Sequence, residues 1–136
     1  MNEFGIDERL YRDFISFSSF NFDEIVAIKQ INEYTLKVEL NDGVYIYDNF
    51  IRLSRKLPSN YKNMTDNEMV DDFMYCFNSV RKRRGYTLAD ISNMTGIPTS
   101  TLSRYANGES APTLINIRKI VKAINCKLED LIIQYD

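Results

Sequence analysis

The chain has no histidine and no tryptophan, and only two cysteines among its 136 residues. Without histidine, the usual nitrogen ligand of zinc and the usual general base for a serine or cysteine nucleophile are both missing. Cys76 and Cys126 form no CxxC pair, and each falls at an apolar position of a helical pattern. They read as small buried thiols rather than as a redox or metal centre. Asp, Glu, Lys and Tyr remain available for catalysis, but none clusters with a phosphate loop or a nucleophile motif. The expectation is a protein that is not an enzyme and carries no catalytic residue, no metal and no cofactor. Long apolar runs are also missing, and nothing approaches the roughly 20 residues that span a bilayer. Met1-Asn2-Glu3-Phe4 opens neither a secretory nor a transit pattern, so the expected location is the cytoplasm, with no membrane partner.

What is present is a globular composition, 44% apolar and 26% charged, with a net charge of −2 that conceals an asymmetry. From Met1 to Met69 there are 8 basic and 12 acidic residues, a balance of −4. From Phe73 to Lys127 there are 9 basic and 2 acidic residues, a balance of +7. An acidic half joined to a basic one suggests that the basic half meets nucleic acid and the other does something else.

Hydrophobic periodicity divides the chain in the same place. Ile6, Leu10, Tyr11 and Phe14 recur at helical spacing, which predicts a helix over 6–15. Glu24–Ile31 is rich in β-branched residues and reads as a strand. Tyr34–Leu40 alternates strictly and places Leu36, Val38 and Leu40 on one face. Asn41-Asp42-Gly43 supplies the positive-φ residues of a tight hairpin, and Val44–Asn49 returns as a third strand. Three strands alone bury too little apolar surface to be stable, so the meander must rest on the first helix, on Phe50–Leu53 or on a second subunit. Ser54–Glu68 holds Pro58, Ser59, Asn60, Asn63, Thr65, Asp66 and Asn67 without periodicity and reads as a linker. The boundary falls near residue 62, giving a small β-rich domain over 1–62 and a second domain over 63–136.

From Val70 the spacing becomes helical. Val70, Phe73, Met74, Phe77 and Val80 form one stripe, with Asp71 and Asp72 in the first turn, Arg81–Arg84 in the last, and Gly85 as the stop. Thr87-Leu88-Ala89-Asp90 is a capping-box variant that starts a two-turn helix, with Ile91 and Met94 inward, ended by Gly96. Pro98 fits the first position of a third helix over Thr99–Ala106, which buries Leu102 and Tyr105. Thr113 caps a fourth helix with Leu114, Ile117, Ile120, Val121 and Ile124 inward. Leu128, Leu131 and Ile132 make a last short one. Two short helices around a glycine-containing turn are the helix-turn-helix unit, in which the first helix pins the second so that it projects into a major groove.

The run Thr-x-x-x-Ile-Ser-x-x-Thr-Gly-Ile-Pro-x-Ser-Thr-Leu-Ser-Arg-Tyr-x-Asn-Gly over 87–108 resembles the Cro/C1-type helix-turn-helix domains of phage and bacterial repressors, the XRE family. The resemblance covers some 65 residues, about half of the chain. It implies an all-α, five-helix, lambda-repressor-like domain at the C-terminus and an α+β chain as a whole. It further implies that Thr99, Ser100, Ser103 and Arg104 read base edges, the Arg104 guanidinium matching both acceptors of a guanine. Thr87, Thr101 and Asn107 are then suited to phosphate oxygens, with Arg83, Arg84 and Lys119 adding long-range attraction. Three positions depart from the family. Leu88 stands where a glutamine is common. Ala106 stands where an acid usually pairs with the arginine found here as Arg81. The loop Glu109-Ser110-Ala111 is not basic.

Two functions follow from this reading. The first is a sequence-specific transcriptional regulator, a phage or mobile-element type of repressor that binds double-stranded DNA as a homodimer. Its dimer contact would come from the hairpin, through edge strands or Tyr45 and Tyr47. The second is a protein-interaction module, such as an antitoxin or phage-encoded inhibitor. Its acidic N-terminal domain would bind a protein partner while the helix-turn-helix autoregulates or dimerises.

Overall fold

The computed structural model describes residues 2–135. The polypeptide divides into two compact units, residues 2–62 together with Tyr135, and residues 63–134.

The first unit is one helix on one sheet. α1 (Glu8–Phe17) starts at Asp7, whose side chain accepts from the Leu10 amide and satisfies one of the donors a helix start leaves open. β1 (Ile25–Asn32), β2 (Thr35–Leu40), β3 (Gly43–Asp48) and β4 (Leu53–Lys56) form an antiparallel meander in chain order. The register aligns Ile28, Val38 and Tyr45 in one row, and Leu36 with Tyr47 in the next on the same face. That face closes on Ile6, Leu10 and Phe14, so alternation in the strands and helical spacing in α1 meet in one core. Phe14 is its centre, with ring centroids 5.3 Å from Tyr47, 5.9 Å from Phe20 and 5.7 Å from Phe22.

The structure corrects several expectations here. The sheet has four strands, because Leu53–Lys56 pairs with β3 where the sequence pattern predicts no strand. Tyr47 is 2% exposed and packed on α1, which removes it from any surface contact. Neither Asn41 nor Asp42 adopts a positive φ; in the hairpin only Gly43 does, at +148°.

The second unit is all helical: α2 (Asp66–Arg84), α3 (Leu88–Thr95), α4 (Thr99–Ala106), α5 (Leu114–Ile124) and α6 (Leu128–Leu131). α2 begins four residues earlier than Val70, since Thr65 and Glu68 form a capping box in which each side chain accepts from the other's backbone N–H. Gly85 and Gly96 end α2 and α3 in the left-handed conformation, at φ +78° each. The core gathers Phe73, Phe77 and Val80 of α2, Ile91, Ile97, Leu102 and Tyr105, Ile117, Ile120 and Ile124 of α5, and Leu131. Met94 and Leu114, expected inward, are exposed. Ile97 in the turn is buried in the core instead, and Leu114, in the first turn of α5, precedes the buried positions that start at Ile117.

Candidate nucleic-acid interface

α3, the turn Gly96-Ile97-Pro98 and α4 make the helix-turn-helix. Its turn is tied by side chains that sequence reasoning did not single out. Ser92 Oγ donates to the Ile97 carbonyl (2.6 Å), Thr95 Oγ1 donates to the Ile91 carbonyl (2.6 Å), and the Ile97 amide donates to Thr95 Oγ1 (3.1 Å). Short hydroxyls can bond to nearby backbone in this way, which suits them to turns. Only their place beside Gly96 hints at the role.

At the start of α3, Thr87 and Asp90 form the expected capping box: the Asp90 amide donates to Thr87 Oγ1 (3.1 Å) and the Thr87 amide to Asp90 Oδ2 (2.9 Å). Hydrogen bonds that the Thr87 backbone and then its side chain make to the Asp90 carboxyl hold that group below its ordinary range. Thr87 itself is exposed. Leu88, where the family pattern favours glutamine, packs half-buried against the core of the unit.

α4 starts at Pro98, which occupies the cap position (φ −57°, ψ 142°) rather than the first helical turn expected for it. Leu102 and Tyr105 are buried beneath the helix. Tyr105 meets the Phe73 ring edge-on at 6.1 Å, and its hydroxyl accepts from Asn116 Nδ2 at 2.8 Å. With about 100° of rotation per residue, Thr99, Ser100, Ser103, Arg104 and Asn107 share an arc of about 140° on the opposite side. Thr99, Ser100, Arg104 and Asn107 are exposed and Ser103 is half-buried. Asn107 Nδ2 lies 3.4 Å from Ser103 Oγ. Thr101 falls outside that arc, on the flank of the helix, and is half-buried.

The basic residues sort differently. Arg81 turns toward the end of α4 through Asn78, while Lys119 is exposed on α5. Arg83 and Arg84 lie within electrostatic reach of Cys126, in the turn between α5 and α6. Burial, and after it the Asp130 carboxylate, pushes the Cys126 thiol up to about 11, against the opposing pull of Arg84 and Arg83. The folded chain therefore holds this proton where the unfolded chain releases it. The stabilising contribution is complete below the ordinary thiol range and fades as pH rises from about 8.5 toward about 11. Urea midpoints of the full chain should fall across that window, and Cys126→Ser should shallow the decline. An equal decline in both proteins would contradict it.

Residues 78–131 match the helix-turn-helix family HTH_3, which is 54 of the 136 residues. No curated protein matches the chain. Among solved structures, the restriction-modification controller protein C.AhdI from Aeromonas hydrophila is similar at 19% identity and a TM-score of 0.44. That similarity covers 46% of this chain and 94% of the other. An HTH_3 family transcriptional regulator from Vibrio cholerae is similar at 25% identity and a TM-score of 0.47, over 49% of this chain and 38% of that one.

Proposed function

We propose, from the helix-turn-helix domain that residues 78–131 form, that the chain is a sequence-specific DNA-binding transcriptional regulator of the phage or mobile-element repressor type. The observation that carries this reading is the outward arc of α4. Five polar side chains stand over two buried anchors, Leu102 and Tyr105, on a helix of the size a major groove admits. On this reading Thr99, Ser100, Ser103 and Arg104 read base edges in double-stranded DNA. Thr87, Thr101 and Asn107 hold phosphates, and Arg83, Arg84 and Lys119 contribute attraction at longer range. One short module makes few base contacts, so the chain acts as a homodimer, with half-sites about 34–36 Å apart.

Selection of bound sequences from a random duplex pool by the full chain tests this directly. Arg104→Ala should weaken binding to the selected duplex by about 1–3 kcal/mol and relax preference at one base position. A loss spread evenly over all sequences would make Arg104 a phosphate contact instead.

A second reading has the first unit bind a protein partner, as an antitoxin or inhibitor does. Its support is the exposure of Phe17, Phe50, Ile51 and Leu53, large apolar side chains left open to solvent. A pool that yields no enriched duplex favours it.

A further inference from the structure

Asn78 of α2 links the end of α4 to Arg81, a neighbour on its own helix. Its Nδ2 donates to the Ala106 carbonyl at 2.9 Å, and its Oδ1 accepts from Arg81 Nε at 3.0 Å. The carbonyls at the end of α4 show why the first bond matters. Those of Ser103, Arg104 and Tyr105 accept from the amides of Asn107, Glu109 and Gly108. The Ala106 carbonyl takes Asn78, so the helix end is completed from α2. The second bond matters because Arg81 is half-buried, and that desolvation lowers its pKa. A guanidinium in such a place needs an oriented acceptor, and alanine at 106 offers no side-chain oxygen.

We propose that Asn78 is the positioning residue of α4. It acts as an uncharged relay that fixes the C-terminal end of the helix on α2 and holds Arg81, in a chain that lacks an acid at 106. The local packing agrees. Asp71, Met74 and Asn78 follow one another at spacings of three and four on α2, and so share a face. A Cβ built on Gly108, at φ +71°, would stand 3.0 Å from Met74 Sδ and 3.1 Å from Asp71 Oδ1. The backbone leaving α4 is therefore pressed against the same stripe that carries the relay. Arg104 and Asn107 bracket the tethered carbonyl along the chain, so a loosened tether shifts both.

The chemistry separates an amide from a carboxylate. Asn78→Asp keeps an acceptor for Arg81 but cannot donate to the Ala106 carbonyl, whereas Asn78→Ala loses both bonds. In the full chain, both variants should speed hydrogen exchange at the Asn107, Gly108 and Glu109 amides by about tenfold or more relative to the Ile91 amide of α3. Adding Ala106→Glu to Asn78→Ala, which supplies Arg81 with a direct carboxylate partner, should restore slow exchange. Should Asn78→Ala fail to fold, Asn78→Asp carries the comparison alone. Exchange at those amides in Asn78→Asp indistinguishable from the parent chain would overturn the relay. The affinity consequence rests on the proposed function: both single variants should bind the pool-selected duplex about fivefold more weakly, with unchanged base preference. If the parent chain binds no duplex, the function fails while the exchange measurement still decides the relay.

Discussion

Leu102→Ala should destabilise the helical unit by about 2–5 kcal/mol, a sizeable share of the 5–15 kcal/mol that holds a typical domain together. Leu102 is fully buried and, with Tyr105, seats α4 on the core that also holds Phe73, Phe77, Ile91, Ile97 and Ile117. Its loss removes the transfer energy of the buried methyls and leaves a cavity that the surrounding helices can close only in part. Hydrogen exchange should locate the damage, with α4 amides losing protection first and global unfolding shifting to lower urea. Leu114→Ala is the matched control, since that side chain is 69% exposed and should cost little. A Leu102 variant as stable as the Leu114 variant would mean that α4 is not anchored as described.

The second large effect belongs to the sheet. Phe14→Ala should cost the first unit about 3–5 kcal/mol, because a fully buried ring is deleted along with its three aromatic neighbours' contacts. A small layer of one helix on four strands has few other large side chains over which to spread that loss. Phe22→Ala gives the contrast: Phe22 is 40% exposed, and its contact with Phe14 is worth about 0.5–1.5 kcal/mol beyond burial. Urea unfolding followed by exchange at β2 and β3 amides distinguishes the two. Equal losses from both substitutions would contradict a core centred on Phe14.

The features legible in the sequence were those set by local chemistry. Thr87 and Asp90 announce a helix start because both halves of the capping box lie within four residues. Gly85 and Gly96 announce helix ends because the left-handed backbone there favours glycine. Leu36 and Val38 announce a buried strand face by alternation alone. Thr65 and Glu68 carry the same box as Thr87 and Asp90, yet they sit among Asn63, Asp66 and Asn67, where polar composition imitates a linker. β4 was hidden for another reason. Leu53 is 57% exposed, and a four-residue edge strand shows little alternation to read.

The candidate site divides in the same manner. The outward arc of α4 follows from helical geometry once Leu102 and Tyr105 are taken as anchors, whereas the assignment of Thr99, Ser100, Ser103 and Arg104 to base edges comes from the family resemblance. Met94 was misplaced because a two-turn helix has a wide, poorly defined apolar edge. The bond between Asn78 and the Ala106 carbonyl joins residues 28 positions apart, and no local pattern foretells it. Missing an acid at 106 signals that Arg81 requires another acceptor, but only the packed helices show which residue supplies one.

The outward face of α4 holds three hydroxyls, one amide and a single guanidinium. On duplex DNA each neutralised phosphate steepens the salt dependence by about 0.9 in the logarithmic slope, and so sparse a set of cations neutralises few. Through this face alone, attachment to arbitrary sequence would thus be brief, and lingering there would depend on hydroxyl and amide hydrogen bonds that only the right bases complete.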